Sequence, residues 1–494
     1  MSKPRVLFAT SEVYPLVKTG GLADISYALP QSLRQLGIDA RILIPGYTEI
    51  VHHKQLHLTV VRDNLNVFSS LNFPVRLLEG VIPHTDIPIY VIDCPELYVR
   101  EGGPYQDNKG GDWLDNAMRF GVLSKVAALF GQYEYPALFE PDIIHCNDWQ
   151  AGLAPAFLHF GSQPHAKTLM NVHNLAHQGV FGPEVVTLLN LPSESFSMFG
   201  LEYYGLMSFL KSGLYYSDWI STVSPTYAKE IQTPTFGYGL YDLLAHSEKR
   251  LTGILNGINV ADWNPETDPY IAANYSHSNL NGKAQNTLAL RKRCKLDNSR
   301  SSATRPIIGM ITRLTHQKGF DLLIPVISKI IEEGAQLVLL GSGDKELEAR
   351  LQAIAATMPE SVSVTLGYDE EFSHQIEAGA DIFLMPSRFE PCGLNQMYSM
   401  RYGTIPVVRR TGGLADTVVD TLPSTLDNRT ATGFVFEEED SKALLNCVLR
   451  ALLVYRDKTV WKNLRINGMT QDFSWKNSAE QYIALYESLL NITA

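Results

Sequence analysis

The hexapeptide TGGLAD occurs twice in this chain, at Thr19 to Asp24 and at Thr411 to Asp416, each copy preceded by a cation, Lys18 or Arg410. Both copies lie between an apolar run and an amphipathic stretch, so each reads as a glycine turn opening a helix. Backbone N–H groups there carry partial positive charge, and glycine lets an anion approach closely. Gly20 and Gly21 in the first copy, and Thr411, Gly412 and Gly413 in the second, are therefore candidate phosphate cradles. Two such loops facing one cleft would hold a diphosphate. The plainer alternative is a pair of tight turns that need glycine for their backbone angles; the repeat with its flanking cation favours the anion site.

Two more segments carry charge where it could act. TRLTHQKGFD puts Arg313 at a strand end and Lys318 just before a helix, a pair of fixed cations able to neutralise a diphosphate leaving group without a metal. No DxD triplet follows an apolar strand, the arrangement expected if a divalent ion held the diphosphate. PSRFEPCGLNQMY places Glu390 in a loop with Cys392 and Gly393 at a helix start. A carboxylate there can hold sugar hydroxyls or simply stabilise the helix end.

IIHCNDWQAG and MNVHNLAHQG supply Asp148, Trp149, His173 and Asn174: a carboxylate, an aromatic platform, an imidazole and an amide. His173, His177 and His145 suggest a metal only weakly, since zinc wants three or four convergent ligands and a satisfied buried histidine is commoner. LLGSGD lacks the third glycine of a dinucleotide fingerprint. Tyr368 could stack on a base or sit as a turn aromatic. The run Tyr203, Tyr204, Phe209, Tyr215 and Tyr216 could line a glucan groove, though such a stripe is more often core.

These groups need a frame. The first half alternates apolar runs with helical stretches: strand Arg5 to Thr10, helix Gly21 to Leu36, strand Ala40 to Ile44, strand Asp142 to His145 leading to a helix from about Gln150, and strand Thr168 to Val172. The second half restarts with strand Pro306 to Thr312, helix Phe320 to Glu332, and strands Gln336 to Leu340, Asp381 to Met385 and Ile405 to Val408. This is an α/β pattern of mostly parallel, doubly wound sheets, with Leu255 to Tyr270 as the hinge and a helix from about Phe473 carrying Ser478, Tyr482, Leu485 and Leu489 on one face. In such sheets ligands gather at carboxyl ends of strands, where Glu12, Lys18, Asp148, His173, Arg313, Lys318 and Glu390 all fall.

The 494 residues exceed one ordinary core, so two large domains are expected. A net charge of −11 without any Lys/Arg block argues against nucleic acid or an anionic membrane as partner. The N-terminal apolar run is too short for a signal peptide or a membrane span. Five scattered cysteines with no CxxC pair point to a reducing, cytoplasm-like compartment.

Taken together, KTGGLAD, DWLDNAMRF, HCNDWQAGL, HNLAHQG, TVSPTYAKEI, ILNGI, TRLTHQKGFDL, SRFEPCGLNQMY, RTGGLADTV and the late FSW closely resemble the bacterial and plastid glycogen (starch) synthases. The resemblance implies a GT-B architecture: two Rossmann-like doubly wound domains facing a central cleft. Residues 1–258 would be the acceptor and catalytic domain, 259–472 the nucleotide-sugar domain, and 473–494 a helix returning to the first. The implied reaction is retaining glucosyl transfer from ADP-glucose to the non-reducing end of an α-1,4-glucan or maltooligosaccharide, with no metal and no cofactor, in cytoplasm or plastid stroma. Lys18 would meet the donor phosphate, Arg313 and Lys318 clamp the diphosphate, and Tyr368 neighbour the adenine. Cys392, Gly393, Leu394, Thr411, Gly412 and Gly413 would line the donor, Glu390 hold its sugar, and His173 with Asp148 act on the sugar side. Glu12, Trp149, Asn174 and Asn256 would serve the acceptor. Position 177 is His where the family usually has Tyr. Tyr398 stands where many related retaining transferases carry a second carboxylate, a substitution this family shares. A glucan phosphorylase, or another nucleotide-sugar transferase of the same architecture, is the alternative. A dehydrogenase lacks its fingerprint here. Oligomeric state, donor base and storage polymer stay open.

Overall fold

The computed structural model describes residues 3–299 and 304–491. The chain divides into two compact units, Met1–Gly257 with Trp475–Ala494, and Ile258–Ser474.

The first unit is built on strands β1 (Arg5–Ala9), β2 (Asp39–Pro45), β3 (Thr59–Arg62), β4 (Arg76–Val81), β5 (Pro88–Asp93), β6 (Ile143–Asn147) and β7 (Lys167–Val172). A small antiparallel sheet is made of β8 (Val180–Phe181), β9 (Glu202–Tyr203) and β10 (Leu206–Ser208), and β11 (Trp219–Thr222) and β12 (Leu251–Gly253) complete the large one. Its order is β12-β11-β7-β6-β1-β2-β5-β4-β3. It is parallel from β12 to β5, with β4 and β3 added antiparallel at one edge. The buried apolar runs of β1 and β6 reflect helices on both faces, as parallel sheets require. β1 lies between β2 and β6, so strand order reverses there. Glu12 and Asp148 come directly after the two strands that flank this switch point, where open α/β sheets bind ligands.

The helix Trp475–Asn491 belongs to this unit. Its buried positions Ser478, Tyr482, Leu485, Tyr486 and Leu489 recur at helical spacing. Ser478 Oγ donates to the Leu255 carbonyl, and Tyr486 OH pairs with His145 Nδ1 at 2.7 Å. Each large side chain so buried contributes about 1.5–3 kcal/mol, enough to hold a terminal helix in place.

The second unit has one all-parallel sheet of β13 (Ile307–Ile311), β14 (Gln336–Gly341), β15 (Val362–Leu366), β16 (Ile382–Met385), β17 (Ile405–Arg409) and β18 (Phe434–Phe436), ordered β15-β14-β13-β16-β17-β18. Its switch point lies between β13 and β16. Arg313 and Lys318 come after the first of these strands and Glu390 after the second.

Three local expectations change. The helix expected over 320–332 is split into Phe320–Leu323, a 3-10 turn Ile324–Val326 and Ile327–Glu332, because Pro325 cannot supply an intrahelical donor. After β6 a 3-10 turn, Trp149–Ala151, precedes the helix Ala154–His159. The segment read as a hinge is fastened over its later part: Trp263 stacks on Tyr398 at 4.0 Å, and Asp268 accepts from Tyr402 and pairs with His374. Among the described residues no helix is long and apolar enough to cross a membrane.

Candidate active site

In the first unit β1 delivers Glu12 beneath the first glycine loop. Its Oε2 accepts the N–H groups of Thr19 and, at 3.0 Å, Gly20, while Oε1 accepts the Tyr105 hydroxyl. Ser11 Oγ and Tyr105 OH lie 2.8 Å apart. The carboxylate thus tethers the loop from within. Lys18, half-exposed above it, donates to Asp24 at 2.9 Å. No heavy atom would lie within 4 Å of a Cβ at Gly20 or Gly21, and neither has a positive φ. The protein itself therefore gives no steric reason for glycine there, and open space over a helix start is what an approaching anion requires.

The second copy of the hexapeptide is built differently. Gly412 has φ +42°, and Cβ atoms at Gly412 and Gly413 would fall 2.0 Å from the carbonyl oxygens of Glu390 and Cys392. Gly413 N–H donates to the Glu390 carbonyl at 3.1 Å. These glycines let the 411–413 turn lie flat against the 390–392 segment. Thr411 is buried just before them.

That segment carries a largely buried charge pair. Lys318 Nζ donates to Glu390 Oε2 at 2.6 Å, and Ser387 Oγ donates to the same oxygen at 3.0 Å. Both charged side chains are largely buried. Gln317 stitches the loops together, its amide donating to the Phe389 carbonyl and its own carbonyl accepting from Arg388 N–H. Arg313 is exposed and makes no ion pair among the described residues. Cys392 is buried, Gly393 has φ +69°, and Leu394 is the N-cap of a helix that starts at Asn395, two residues later than the sequence suggested. Tyr368 projects from the turn after β15, 72% exposed.

On the first unit's switch point, Asp148 adopts φ +53° and its Oδ1 accepts His173 N–H at 2.7 Å. Burial pushes the Asp148 carboxyl up to about 7, against the pull of that hydrogen bond. Burial also lowers the His173 imidazole to about 4, opposed by the nearby Glu12 carboxylate. Trp149 is packed edge-on against Phe120 at 4.9 Å and near Phe181 and Phe209, with Gly179 against its ring. Asn174 caps its own loop through Ala176 N–H. Asn256 is buried, and its Oδ1 has no hydrogen-bond partner among the described residues. Of the aromatic run, Phe209 is core while Tyr204 is well exposed. Among the described residues no group of three or more His, Cys, Asp or Glu is disposed to hold a metal ion.

The first unit therefore gathers Glu12, Lys18, Gly20 and Gly21 at the glycine loop, and joins Asp148 to His173 across the ends of β6 and β7. The second gathers Lys318, Glu390, Gly412 and Gly413. Sequence reasoning missed Tyr105, which carries no local signal, and passed over Ser387, Gln317, Asn147 and Asn171, which lie inside or beside recognised motifs.

Comparison with known proteins fits this construction. Residues 5–246 match the starch synthase catalytic domain family, and 294–463 match the glycosyl transferases group 1 family. A glycogen synthase of Nitrosomonas eutropha is 51% identical over 98% of this chain and 96% of its own. One from Dechloromonas aromatica is 48% identical over 99% of both chains. The catalytic domain of starch synthase IV from Arabidopsis thaliana, bound to ADP and acarbose, superposes with a TM-score of 0.88 at 32% identity, covering 99% of this chain and 100% of that one. Sucrose-phosphate synthase from Thermosynechococcus elongatus, at 19% identity and a TM-score of 0.59, shares the fold. Likeness of this extent, running unbroken through both units, means that the chain belongs to the glycogen (starch) synthase family of GT-B glycosyltransferases.

Proposed function

We propose that this chain elongates an α-1,4-glucan by transferring glucose from ADP-glucose, with retention, to the non-reducing end of a glucan or maltooligosaccharide. The observation that carries this reading is the Lys318–Glu390 pair at 2.6 Å, with exposed Arg313 on the same connection as Lys318. Cations and a carboxylate side by side suit a ligand that is a diphosphate at one end and a polyol at the other. The ADP and acarbose bound to the Arabidopsis relative support the same ligand classes.

In the proposed reaction the bond from the anomeric carbon to the diphosphate oxygen breaks, and the acceptor hydroxyl oxygen bonds to that carbon. Negative charge grows on the leaving group, where Arg313 and Lys318 stabilise it, and no metal is required. Lys18, Gly20 and Gly21 are assigned to the donor phosphate. Glu390 holds sugar hydroxyls, Tyr368 flanks the adenine, and the 392–394 and 411–413 turns line the donor. His173 and Asp148 act at the sugar, and Glu12, Trp149, Asn174 and Asn256 serve the acceptor side. No side chain is assigned as a covalent nucleophile; the departing phosphate oxygen takes the acceptor's proton. The absence of any disulfide among the described residues supports a reducing, cytoplasmic setting. The test is incorporation of labelled glucose into glycogen from ADP-glucose and UDP-glucose side by side. ADP-glucose should be used at least about tenfold faster, a difference of about 1.4 kcal/mol in transition-state binding; incorporation from neither donor would overturn the reading.

A further inference from the structure

Three rings of the second unit form one stack. Trp263 meets His374 with ring centroids 3.9 Å apart and planes at 11°, and Tyr398 at 4.0 Å and 15°. Two rings so close to one centroid cannot share a face, so they cover opposite sides of the indole. Trp263 lies in the turn-rich stretch, His374 on the helix Glu370–Gly379 and Tyr398 on the helix Asn395–Arg401. Asp268 grips the same two helices. Its Oδ2 accepts the Tyr402 hydroxyl at 2.5 Å and lies 2.8 Å from His374 Nδ1, while its Oδ1 accepts the Tyr270 N–H at 2.8 Å. Tyr275 adds a third tie, its hydroxyl donating to the Tyr402 carbonyl at 2.7 Å. The strap 263–275 thus holds Tyr398 and Tyr402, one turn apart at the carboxyl end of one short helix.

The other end of that helix enters the candidate donor site. Gln396 Nε2 donates to the carbonyls of Cys392 at 3.1 Å and Gly393 at 3.0 Å, and to Thr417 Oγ1 at 3.2 Å. Thr417 Oγ1 donates in turn to the Gly413 carbonyl at 2.6 Å. The helix has only seven residues, with the strap at one end and the 392–393 and 413 turns at the other. Packed interiors transmit displacement, so a shift at Tyr398 reaches Gln396 two residues away. The stack is also charged. Burial lowers the His374 pKa, but the hydrogen bonds to Asp268 and Glu370 outweigh it and carry the imidazole up to about 9, so the ring is a cation at neutral pH. A cation over an indole face is attracted by the ring quadrupole. The charged groups that face it are acidic: Asp268 from the strap, Asp262 just before it and Glu370 from its own helix, with the Tyr402 hydroxyl 3.4 Å from Nδ1. Arg293, which the helix Asn281–Arg293 brings to the same helix, is paired with Asp369 and Glu371.

We propose that Trp263, clamped between His374 and Tyr398, is a positioning residue that sets the helix Asn395–Arg401 and, through Gln396, the 392–393 and 413 turns, so that donor affinity is coupled to the His374–Asp268 ion pair. The proposal rests on the reading of those turns as the lining of the donor site, and it names what holds them in place. Trp263 touches no substrate; it acts through Tyr398.

A protonated imidazole quenches indole emission, so Trp263 reports on His374. The difference in emission between the full-length wild type and Trp263→Phe should be small at neutral pH and rise with a midpoint near pH 9. Coupling is reciprocal: if the charged pair favours the donor-binding arrangement, saturating ADP must hold the proton on His374 more tightly. The midpoint should then rise by about one pH unit, the mark of a tenfold difference in ADP affinity between the two protonation forms. Trp263→Leu should lower kcat/KM for ADP-glucose about tenfold to a hundredfold with the acceptor KM unchanged, and Trp263→Phe, which keeps a flat ring face, should recover most of the loss. An emission difference that does not titrate, or a midpoint unmoved by ADP that calorimetry shows to be bound, overturns the proposal. A folded Trp263→Leu with wild-type kcat/KM for the donor overturns it too. If ADP does not bind the wild type at all, the donor reading of the turns has failed and takes the proposal with it.

Discussion

Lys318 and Glu390 form an ion pair, the ammonium donating to the carboxylate at 2.6 Å with Ser387 on the same oxygen. On the proposed reading a bound diphosphate shares that ammonium with Glu390, so the two side chains act as one unit. Truncating either leaves a mostly buried charge without its partner, which costs more than the contact itself is worth. We expect Lys318→Ala and Glu390→Ala each to lower kcat by roughly a hundredfold or more, with the double variant losing much less than the product of the two single losses, a coupling of about 1–3 kcal/mol. Lys18→Ala, whose ion pair with Asp24 is half-exposed, should raise the donor KM more than it lowers kcat. Steady-state kinetics of the four variants checks this, and strictly multiplicative losses would show that Lys318 and Glu390 act separately.

Arg313 adds a second positive charge on the turn after β13, the same connection that carries Lys318. With two cations supplied by the chain, stabilisation of the leaving diphosphate should not depend on a divalent ion. Exhaustive chelation should leave the rate within about twofold of the untreated enzyme. A hundredfold fall on adding EDTA, restored by magnesium or manganese, corresponds to about 2.7 kcal/mol of transition-state stabilisation and would defeat the assignment.

The two TGGLAD copies should respond oppositely to the same substitution. A methyl group at Gly20 meets nothing, so Gly20→Ala should leave the melting temperature nearly unchanged while weakening donor binding. At Gly412 a methyl group would collide with the Glu390 carbonyl on a backbone already at φ +42°. Gly412→Ala should therefore cost about 2–4 kcal/mol of stability, or about 4–16 °C in the melting of a unit this size. Calorimetry on both variants decides it. Equal destabilisation would mean that the first loop is packed as tightly as the second.

That contrast also marks where sequence reading stops. Identical hexapeptides are identical evidence until the chain is folded, and only then does it emerge that one lies open over Glu12 while the other is pressed against the 390–392 backbone. The strand-end positions of Asp148, His173, Arg313, Lys318 and Glu390 were legible because buried parallel strands are continuous apolar runs, and the residues just after each run must sit at its carboxyl end. Tyr105 was not legible: its hydroxyl reaches Glu12 from 93 residues away, and nothing in GGPYQDN marks it. The edge strands β3 and β4 alternate weakly, and the two- and three-residue strands β8 to β10 are too short for any period to show. Asp268 stood in a turn-rich stretch that read as a hinge, because its partners His374 and Tyr402 lie more than a hundred residues on.

Asp268 and His374 give that stretch a pH-dependent anchor. His374 is almost fully buried, its ring stacked on Trp263 at 3.9 Å, with Nδ1 2.8 Å from Asp268 and Nε2 3.7 Å from Glu370. Burial alone would lower its pKa, but the hydrogen bonds to Asp268 and Glu370 carry it up to about 9. A histidine raised in the folded state binds its proton more tightly there than in the unfolded chain, where it titrates at about 6.5. The resulting stabilisation, at most about 3 kcal/mol, is full below about pH 6.5 and is lost as pH rises through about 9. His374→Gln removes the titrating group while keeping a polar side chain of similar reach. The melting-temperature difference between wild type and His374→Gln should therefore be largest near pH 6 and shrink steadily toward pH 9.5. A difference that stays constant across this range would mean that His374 is neutral in the folded protein and that the anchor is held by stacking on Trp263 rather than by charge.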